Sequence, residues 1–276
     1  MNEPAPAQLV FLGGCPRSGL TLLRRLLDAH PDIHCGSDSG IAPGVCMQWR
    51  DFADRLGGLH ARDFGLSAEA VRTQMAELLA GLLTPEGARI VCEKTSVNVV
   101  AFTELARLLP EAKFVHVVRD GRDVAASLLE RDWRDGHGRR FPHVSDPDRA
   151  LLYWAEFVRR GLEAETAIVA DRILRVRYED LVRRPRRALK RLTGFIGAPM
   201  REEMLAAPPR EMELVGAERD SLPLLRQPIT TKRTGRGPAA LTARAGGLAP
   251  VAAALRALGY ASDVDGIQHR AAPPGC

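Results

Sequence analysis

A glycine-rich stretch at residues 13–21, GGCPRSGLT, has the residue types of a phosphate-binding loop. The apolar run at 8–12 precedes it like a short strand, and apolar residues at helical spacing follow it over 22–27. The backbone N–H groups of such a turn and the positive end of the next helix can converge on one anion. Ordinary strand–turn–helix connections can also carry glycines, so the stretch alone indicates a phosphate site without establishing one.

This loop departs from the pattern of nucleoside triphosphate sites at one position. Gly14, Gly19 and Thr21 fit the spacing G-x-x-x-x-G-K-[ST]. Leu20 stands where the pattern has its lysine, which kinases and ATPases place on the β- and γ-phosphates. The loop offers Arg17 instead. A phosphate ligand other than a nucleoside triphosphate is therefore favoured, and a nucleotide kinase is kept as the alternative.

Polar groups also follow two later strand-like runs. The run at 88–92 leads to Lys94, and the run at 113–118 leads to Arg119, with Ser127 on the helix that follows. A guanidinium together with a helix-borne hydroxyl can form a second phosphate site. The alternative for Arg119 is a surface ion pair with a neighbouring aspartate. Two phosphate sites would indicate a ligand with two separated phosphates.

Strand-like and helix-like segments alternate along the chain. This alternation predicts an α/β fold of the three-layer, P-loop type, with a mainly parallel central sheet flanked by helices. Such sheets bind ligands at the carboxyl ends of their strands. Between the regular elements we expect loops and short helices at 31–66, a mobile surface loop at 132–147 and irregular structure at 208–247.

Length and composition are those of a soluble globular protein. With 276 residues, 45% hydrophobic and 26% charged, we expect one domain over 1–276 with flexible tails at 1–7 and 266–276. The absence of a long apolar run or signal-like start predicts a cytoplasmic protein without a membrane partner. The net charge of +5 is not gathered in one run, so a small polyanionic ligand is favoured over nucleic acid. The five scattered cysteines form no C-x-x-C pair and predict no metal site.

Three motifs in order along the chain resemble a known enzyme family. PRSGLTLL at 16–23, VRDGRDVAAS at 118–127 and RYEDL at 177–181 are similar to the sulfotransferases that use 3′-phosphoadenosine 5′-phosphosulfate (PAPS). LLDAHP at 26–31, followed by CG at 35–36, is most similar to the tyrosylprotein sulfotransferase branch. The resemblance implies PAPS as sulfuryl donor, adenosine 3′,5′-bisphosphate as product and a hydroxyl group as acceptor.

The resemblance also implies which residues bind the donor. Those at the 5′-phosphosulfate are Arg17, Ser18, Gly19, Leu20 and Thr21. Those at the 3′-phosphate are Arg119 and Ser127, and the segment that contains Lys232 and Arg236 would close over it. Tyr178, in the third motif, is a further expected donor contact.

Two residues take catalytic positions by the same resemblance. Asp38 falls where the tyrosylprotein branch has a catalytic glutamate, and Lys94 falls where it has a lysine at the bridging oxygen. A carboxylate can accept the proton of the attacking hydroxyl, and a lysine can stabilise charge on the leaving oxygen, so no metal is required. Asp38 is one methylene shorter than glutamate, which leaves five histidines as alternative bases: His34, His60, His116, His137 and His143. Glu93 is expected to orient Lys94 by pairing with it.

The predicted function is therefore that of a PAPS-dependent sulfotransferase. The expected acceptor is a small hydroxylated metabolite or natural product, with a peptidyl tyrosine phenol as the other possibility. The alternatives are the nucleotide kinase and a nucleotide-binding module without catalysis. The sequence gives no indication of the oligomeric state.

Overall fold

The computed structural model describes residues 7–53, 57–85, 87–206 and 216–260. The chain divides into two compact units, one of residues 1–118 and 160–231 and the other of residues 119–159 and 232–276. The expected single domain stays a prediction. Apart from residue 7, its expected flexible tails lie outside the described residues.

A five-stranded parallel sheet forms the centre of the first unit, and it confirms the predicted fold class. Its strand order is β2-β3-β1-β4-β5. The strands are β1 (Gln8–Gly13), β2 (Ile33–Cys35), β3 (Ile90–Lys94), β4 (Lys113–Val118) and β5 (Ile173–Arg177). Four of them coincide with strands that the sequence predicts, at 8–12, 88–92, 113–118 and 172–177. The strand β2 was missed because its 3 residues are too short to show a periodicity.

Twelve α-helices lie in the described part of the chain: α1 (Leu20–Asp28), α2 (Ile41–Asp51), α3 (Gly57–Phe64), α4 (Ala68–Leu83), α5 (Asn98–Leu108), α6 (Gly121–Leu129), α7 (Pro147–Ala167), α8 (Tyr178–Arg183), α9 (Pro185–Ile196), α10 (Leu222–Leu225), α11 (Ala239–Gly247) and α12 (Ala249–Ala257). Short 3-10 helices cover Pro142–Val144, Glu202–Leu205 and Gly216–Ser221. None of the described helices is both long and apolar enough to cross a membrane.

The segments expected to be irregular contain more regular structure than the sequence suggested. The helix α11 lies inside 208–247, where prolines and glycines argued against a helix, but Pro238 and the last two glycines mark its ends. In 132–147, Asp135 Oδ1 accepts hydrogen bonds from the backbone N–H groups of His137 at 2.9 Å and Arg139 at 3.0 Å. The first part of the predicted loop is therefore a hydrogen-bonded turn, and the 3-10 helix Pro142–Val144 follows it, while the mobility of the loop stays a prediction.

Strand alternation divides the first unit into three layers. Val10 and Leu12 of β1 face a core formed with α1, α8 and α9. On the opposite face, Phe11 stacks on Phe114 with ring centroids 5.8 Å apart, and Phe102 of α5 meets Phe114 at 5.2 Å. Helices therefore cover both faces of the sheet, as parallel sheets require.

His116, one of the alternative bases, is a buried structural residue of β4. Its Nδ1 lies 2.7 Å from Oε1 of Glu165 on α7, and Arg175 Nε donates to the same oxygen at 2.9 Å. Gly161 leaves room for the imidazole, since a Cβ at this position would lie 2.0 Å from the ring. Burial raises the pKa of Glu165, but the hydrogen bonds from His116 and Arg175 outweigh it and lower the pKa to about 2.

We expect Glu165→Gln to lower the free energy of unfolding at pH 7 by roughly 1–3 kcal/mol, because it removes charged hydrogen bonds at a half-buried site. The pKa of Glu165 is lowered in the folded state, so its stabilisation is fully present above the ordinary value of 4.5 and is lost as the pH falls towards 2. Urea unfolding at pH 7 and pH 3 measures this. The control is Glu163→Gln, whose carboxylate is exposed on the same helix. Equal effects of the two variants at pH 7 would contradict the prediction.

Candidate active site

The glycine-rich stretch at residues 13–21, here called the phosphate loop, connects β1 to α1. Two of its residues have a left-handed backbone conformation. Arg17 has φ 75° and Gly19 has φ 102°. A Cβ on Gly14 would lie 2.2 Å from the carbonyl oxygen of Val117, and one on Gly19 would lie 2.4 Å from the ring of Tyr178. Both glycines are therefore required by close packing, and Tyr178, a predicted donor contact, lies against the loop.

The loop and the start of α1 offer hydrogen-bond donors that can bind an anion. The first N–H groups of α1 have no partner inside the helix. The Ser18 side chain is 1% exposed, and its Oγ has no hydrogen-bond partner within the described residues. A buried hydroxyl without a partner is rare, and together with helix N–H groups it fits a phosphate oxygen.

The side chain of Leu20 does not belong to that donor set. It is buried in the core beneath α1, so only its backbone N–H can face an anion. Thr21 follows it on the first turn of α1 and is partly exposed. Of the two residues, only Thr21 has a side chain that could reach a ligand.

The predicted catalytic residues Lys94 and Asp38 meet in the structure. Lys94 ends β3 directly opposite Leu12, one residue before the end of β1, so it lies beside the start of the loop. Its side chain is 1% exposed, and Nζ lies 2.9 Å from Oδ1 of Asp38. The Asp38 side chain is 32% exposed, which leaves this carboxyl accessible on one side.

A second carboxylate, Glu218, contacts the same ammonium. Its side chain is 2% exposed and also accepts a hydrogen bond from Arg24 Nη1 at 3.0 Å. The backbone N–H of Asp38 donates to it at 3.4 Å. Sequence reasoning missed Glu218 because it lies 124 residues from Lys94, in a segment that shows no periodic pattern.

The surroundings of Asp38 raise the pKa of its carboxyl. Burial raises the pKa of this carboxyl most, the Lys94 ammonium lowers it, and the negative charge of Glu218 raises it. The net result is a pKa above the ordinary value. A half-accessible carboxyl with a raised pKa is a suitable general base.

The expected pairing of Glu93 with Lys94 is wrong. Glu93 accepts hydrogen bonds from Thr95 Oγ1 at 2.5 Å and Ser39 Oγ at 2.8 Å, and it also contacts Asn98. Successive residues of a strand point to opposite faces of the sheet, so Glu93 and Lys94 cannot face the same partners. Burial raises the pKa of Glu93, and the three hydrogen bonds oppose this.

The 3-10 helix Gly216–Ser221 contacts both parts of the first unit's site. Ser221 Oγ accepts a hydrogen bond from Arg17 Nη1 at 3.3 Å, while Glu218 contacts Lys94. One short segment therefore touches the phosphate loop and the predicted catalytic lysine.

In the second unit, Arg119 is held close to the segment expected to close over the 3′-phosphate. Its Nη2 donates to the carbonyl oxygen of Arg233 at 2.5 Å and lies 3.7 Å from Oδ2 of Asp123. Ser127 lies one helical turn after Asp123 on α6 and is buried. The structure thus brings Arg119 and this segment together.

Asp123 holds the backbone of that segment. Its carboxylate accepts hydrogen bonds from the N–H groups of Gly235 at 2.9 Å, Arg236 at 2.6 Å and Gly237 at 2.8 Å. The side chains of Lys232 and Arg236 are exposed. The segment is therefore attached through its backbone, which leaves the two predicted cationic side chains at the surface.

The histidines considered as alternatives to Asp38 lie in surroundings unlike those of Asp38. His34 and His137 are exposed, and His143 stacks on Tyr153 with ring centroids 4.1 Å apart. Burial lowers the pKa of His143. The His60 side chain lies outside the described part. In the first unit, neither His34 nor His116 has a described contact with Lys94.

The cysteines are buried, as expected for small apolar residues. Cys15, Cys35, Cys46 and Cys92 are free thiols in the interior, and Cys276 lies outside the described residues. Within the described part of the chain, no cluster of three or more His, Cys, Asp or Glu side chains could hold a metal ion.

Comparison with known proteins extends these observations. A model described as "Sulfotransferase family" matches residues 9–202. Protein-tyrosine sulfotransferase 1 of Danio rerio is 31% identical over 219 residues, which cover 78% of this chain and 58% of that protein. Protein-tyrosine sulfotransferase A of Caenorhabditis elegans is 26% identical over 272 residues, which cover 94% of this chain and 68% of that protein.

A solved structure shares the fold. The sulfotransferase domain from the Synechococcus PCC 7002 olefin synthase superposes with a TM-score of 0.65 and 22% identity, covering 95% of this chain and 98% of that one. The predicted enzyme class, transfer of sulfuryl groups, is confirmed by the family, and the alternative of a nucleotide kinase is not supported. The chain belongs to the sulfotransferase family and is similar to its protein-tyrosine sulfotransferases, as the motifs predicted.

Proposed function

We propose that this protein transfers the sulfuryl group of PAPS to a phenolic hydroxyl. The observation that carries the proposal is the contact of 2.9 Å between Lys94 Nζ and Asp38 Oδ1 beside the phosphate loop. A cation for the leaving oxygen and a carboxylate for the attacking hydroxyl are the two groups that an in-line displacement at sulfur needs.

The phosphate loop supports a role in donor binding. Ser18 Oγ and the first N–H groups of α1 can donate to the 5′-phosphate, and the Arg17 guanidinium adds positive charge next to them. When bound, PAPS supplies an activated sulfuryl group on a phosphate oxygen. Tyr178 lies against Gly19 and is proposed to contact the donor. In the second unit, Arg119 and Ser127 are proposed to bind the 3′-phosphate.

Asp38 and Lys94 have different roles in the chemical step. Asp38 accepts the proton of the acceptor hydroxyl while the acceptor oxygen forms its bond to sulfur. The bond between sulfur and the phosphate oxygen breaks, and the electron pair stays on that oxygen. Lys94 stabilises the developing charge, which is larger in the transition state than in the ground state. The products are a sulfate ester and adenosine 3′,5′-bisphosphate.

A phenol suits this base better than an aliphatic alcohol. Phenols lose their proton with a pKa of about 10, far below that of alcohols, so a carboxylate needs less driving force to accept it. The names of the relatives, which are protein-tyrosine sulfotransferases, support the same choice. The phenol can belong to a small metabolite or to a peptide tyrosine. The cytoplasmic location stays a prediction.

The test is a turnover assay with three classes of acceptor. The protein is incubated with PAPS and with 4-nitrophenol, a tyrosine-containing peptide or an aliphatic alcohol, and adenosine 3′,5′-bisphosphate is measured. We expect release with at least one phenol and little with the alcohol. The comparison of small phenol and peptide identifies the source of the acceptor. Binding of the bisphosphate without turnover of any acceptor would favour a non-catalytic nucleotide-binding module, and no binding would refute donor recognition.

We expect Lys94→Ala to lower kcat by about 10²–10³-fold, by analogy with the loss of one oxyanion donor. The KM for PAPS should change much less, because the phosphate loop is intact. Steady-state kinetics measures both. Lys190→Ala, on the exposed face of α9, is the control and should keep the wild-type kcat. A kcat for Lys94→Ala within threefold of wild type would exclude Lys94 from the chemical step.

We expect Asp123→Ala to weaken binding of adenosine 3′,5′-bisphosphate by about tenfold, a cost near 1.4 kcal/mol. The variant frees the three N–H groups at 235–237 and so releases the backbone of the segment with the proposed 3′-phosphate contacts. Calorimetry measures the affinity, and limited proteolysis should show new cleavage at 232–237. Asp132→Ala, which alters an exposed carboxylate of the same unit, is the control. Unchanged affinity and an unchanged cleavage pattern would contradict this prediction.

A further inference from the structure

Four charged side chains of the first unit form a compact cluster at the end of β3. The cations are Lys94 and Arg24, and the carboxylates are Asp38 and Glu218. Glu218 is the member in contact with both cations. The roles assigned so far use Lys94 and Asp38 and leave Glu218 without one.

We propose that Glu218 is a positioning residue for sulfuryl transfer, which holds the Lys94 ammonium beside the phosphate loop and places a second negative charge next to the base Asp38. The proposal deepens the proposed function and rests on it for the identity of the reaction. Glu218 itself touches neither donor nor acceptor in this assignment.

The first half of the proposal follows from the burial of Lys94. A lysine side chain has four rotatable bonds, and an ammonium that is 1% exposed needs fixed partners to offset the loss of its hydration. Asp38 alone is a weak anchor because its side chain is 32% exposed. Glu218, 2% exposed, supplies the buried partner that defines where Nζ lies.

Glu218 is in turn fixed by α1. Arg24 Nη1 donates to it at 3.0 Å, and Arg24 Nε donates to the carbonyl oxygen of Cys35 at 3.1 Å. The guanidinium therefore links the carboxylate to the end of β2, on the sheet itself. Through this link β2, β3 and α1 together fix the position of the Lys94 ammonium, which therefore does not depend on the rotamers of Lys94 alone.

The second half follows from the unequal surroundings of the two carboxyls. Glu218 has two cationic partners, whereas Asp38 has only Lys94 among its described contacts with cations. The negative charge of Glu218 is therefore compensated by more cations than that of Asp38. Burial and the charge of Glu218 both raise the pKa of Asp38, and Lys94 opposes them. Glu93, on the other face of β3, is a further negative neighbour, and its own pKa is raised by burial and, to a smaller extent, by Asp38.

The test begins with a titration that needs no turnover. The carboxyl carbon signals of ¹³C-labelled aspartates are followed by NMR from pH 3 to pH 8 in wild type and in Glu218→Gln, and Asp38→Asn assigns the Asp38 signal. Removal of the neighbouring negative charge should lower the midpoint of Asp38 by about 1 pH unit. Glu203→Gln, an exposed glutamate of the same unit, is the matched control and should leave the midpoint unchanged. An unchanged Asp38 midpoint in Glu218→Gln would overturn the electrostatic part of the proposal.

Kinetics tests the positioning part. Asp38 must be ionised to accept a proton, so kcat falls on the acid side of its pH profile. In Glu218→Gln this acid limb should move to lower pH by the same amount as the NMR midpoint of Asp38. The value of kcat on the plateau should fall about tenfold or more, because Lys94 has lost its buried anchor. A merely structural role would lower the amount of folded enzyme without moving the limb.

A conservative variant covers the case in which Glu218→Gln does not fold. Glu218→Asp keeps the charge and shortens the reach by one methylene, so we expect a fall in kcat with the acid limb close to that of wild type and with affinity for adenosine 3′,5′-bisphosphate within threefold. A kcat of Glu218→Asp equal to that of wild type would overturn the positioning role. If wild type itself turns over no acceptor while the NMR midpoint still shifts, the proposed reaction fails and the linkage of Glu218 to Asp38 stands.

Discussion

The burial of one positive charge, the ammonium of Lys94, is the constraint on which the site in the first unit depends. An ion taken out of water must be paired, and leaving it unpaired would be strongly destabilising. The structure meets this requirement with Asp38 on one side and Glu218 on the other. Because Glu218 is also held by Arg24, the same requirement ties the 3-10 helix Gly216–Ser221 to α1 and β2.

The order of strands in the sheet explains why Lys94 can serve the phosphate loop at all. Parallel strands end at the same edge, and β3 pairs directly with β1, with Lys94 opposite Leu12. The loop and the lysine are therefore neighbours in space although they are distant in sequence. Because side chains alternate along β3, Lys94 lies on the α1 face of the sheet and Glu93 on the opposite face. There Glu93 accepts hydrogen bonds from Thr95 and Ser39 and contacts Asn98.

Sequence reasoning succeeded where the signal was local and failed where it was not. The loop and four strands depend on neighbouring residues that any single sequence displays. The catalytic roles of Asp38 and Lys94 came from family resemblance, since the position of Lys94 after a strand-like run indicated a site but no role, and an isolated aspartate carries no pattern. Glu218 could not be found, because its partners lie far away along the chain and its segment lacks periodicity. Glu93 was assigned to the wrong partner because adjacency in sequence was taken for adjacency in space.

Leu20 shows how the charges of this site are distributed. In nucleoside triphosphate sites the first turn of the helix supplies the lysine that reaches the phosphates. Here that position is apolar and packs into the core beneath α1, where it stabilises the helix that presents its N–H groups. The cation comes instead from the end of the neighbouring strand, where the buried Glu218 and the partly exposed Asp38 pair with it. In the proposed function, moving the lysine from the loop to β3 separates two tasks: the loop binds the donor through its backbone, Ser18 and Arg17, and Lys94 stabilises the oxygen on which charge develops.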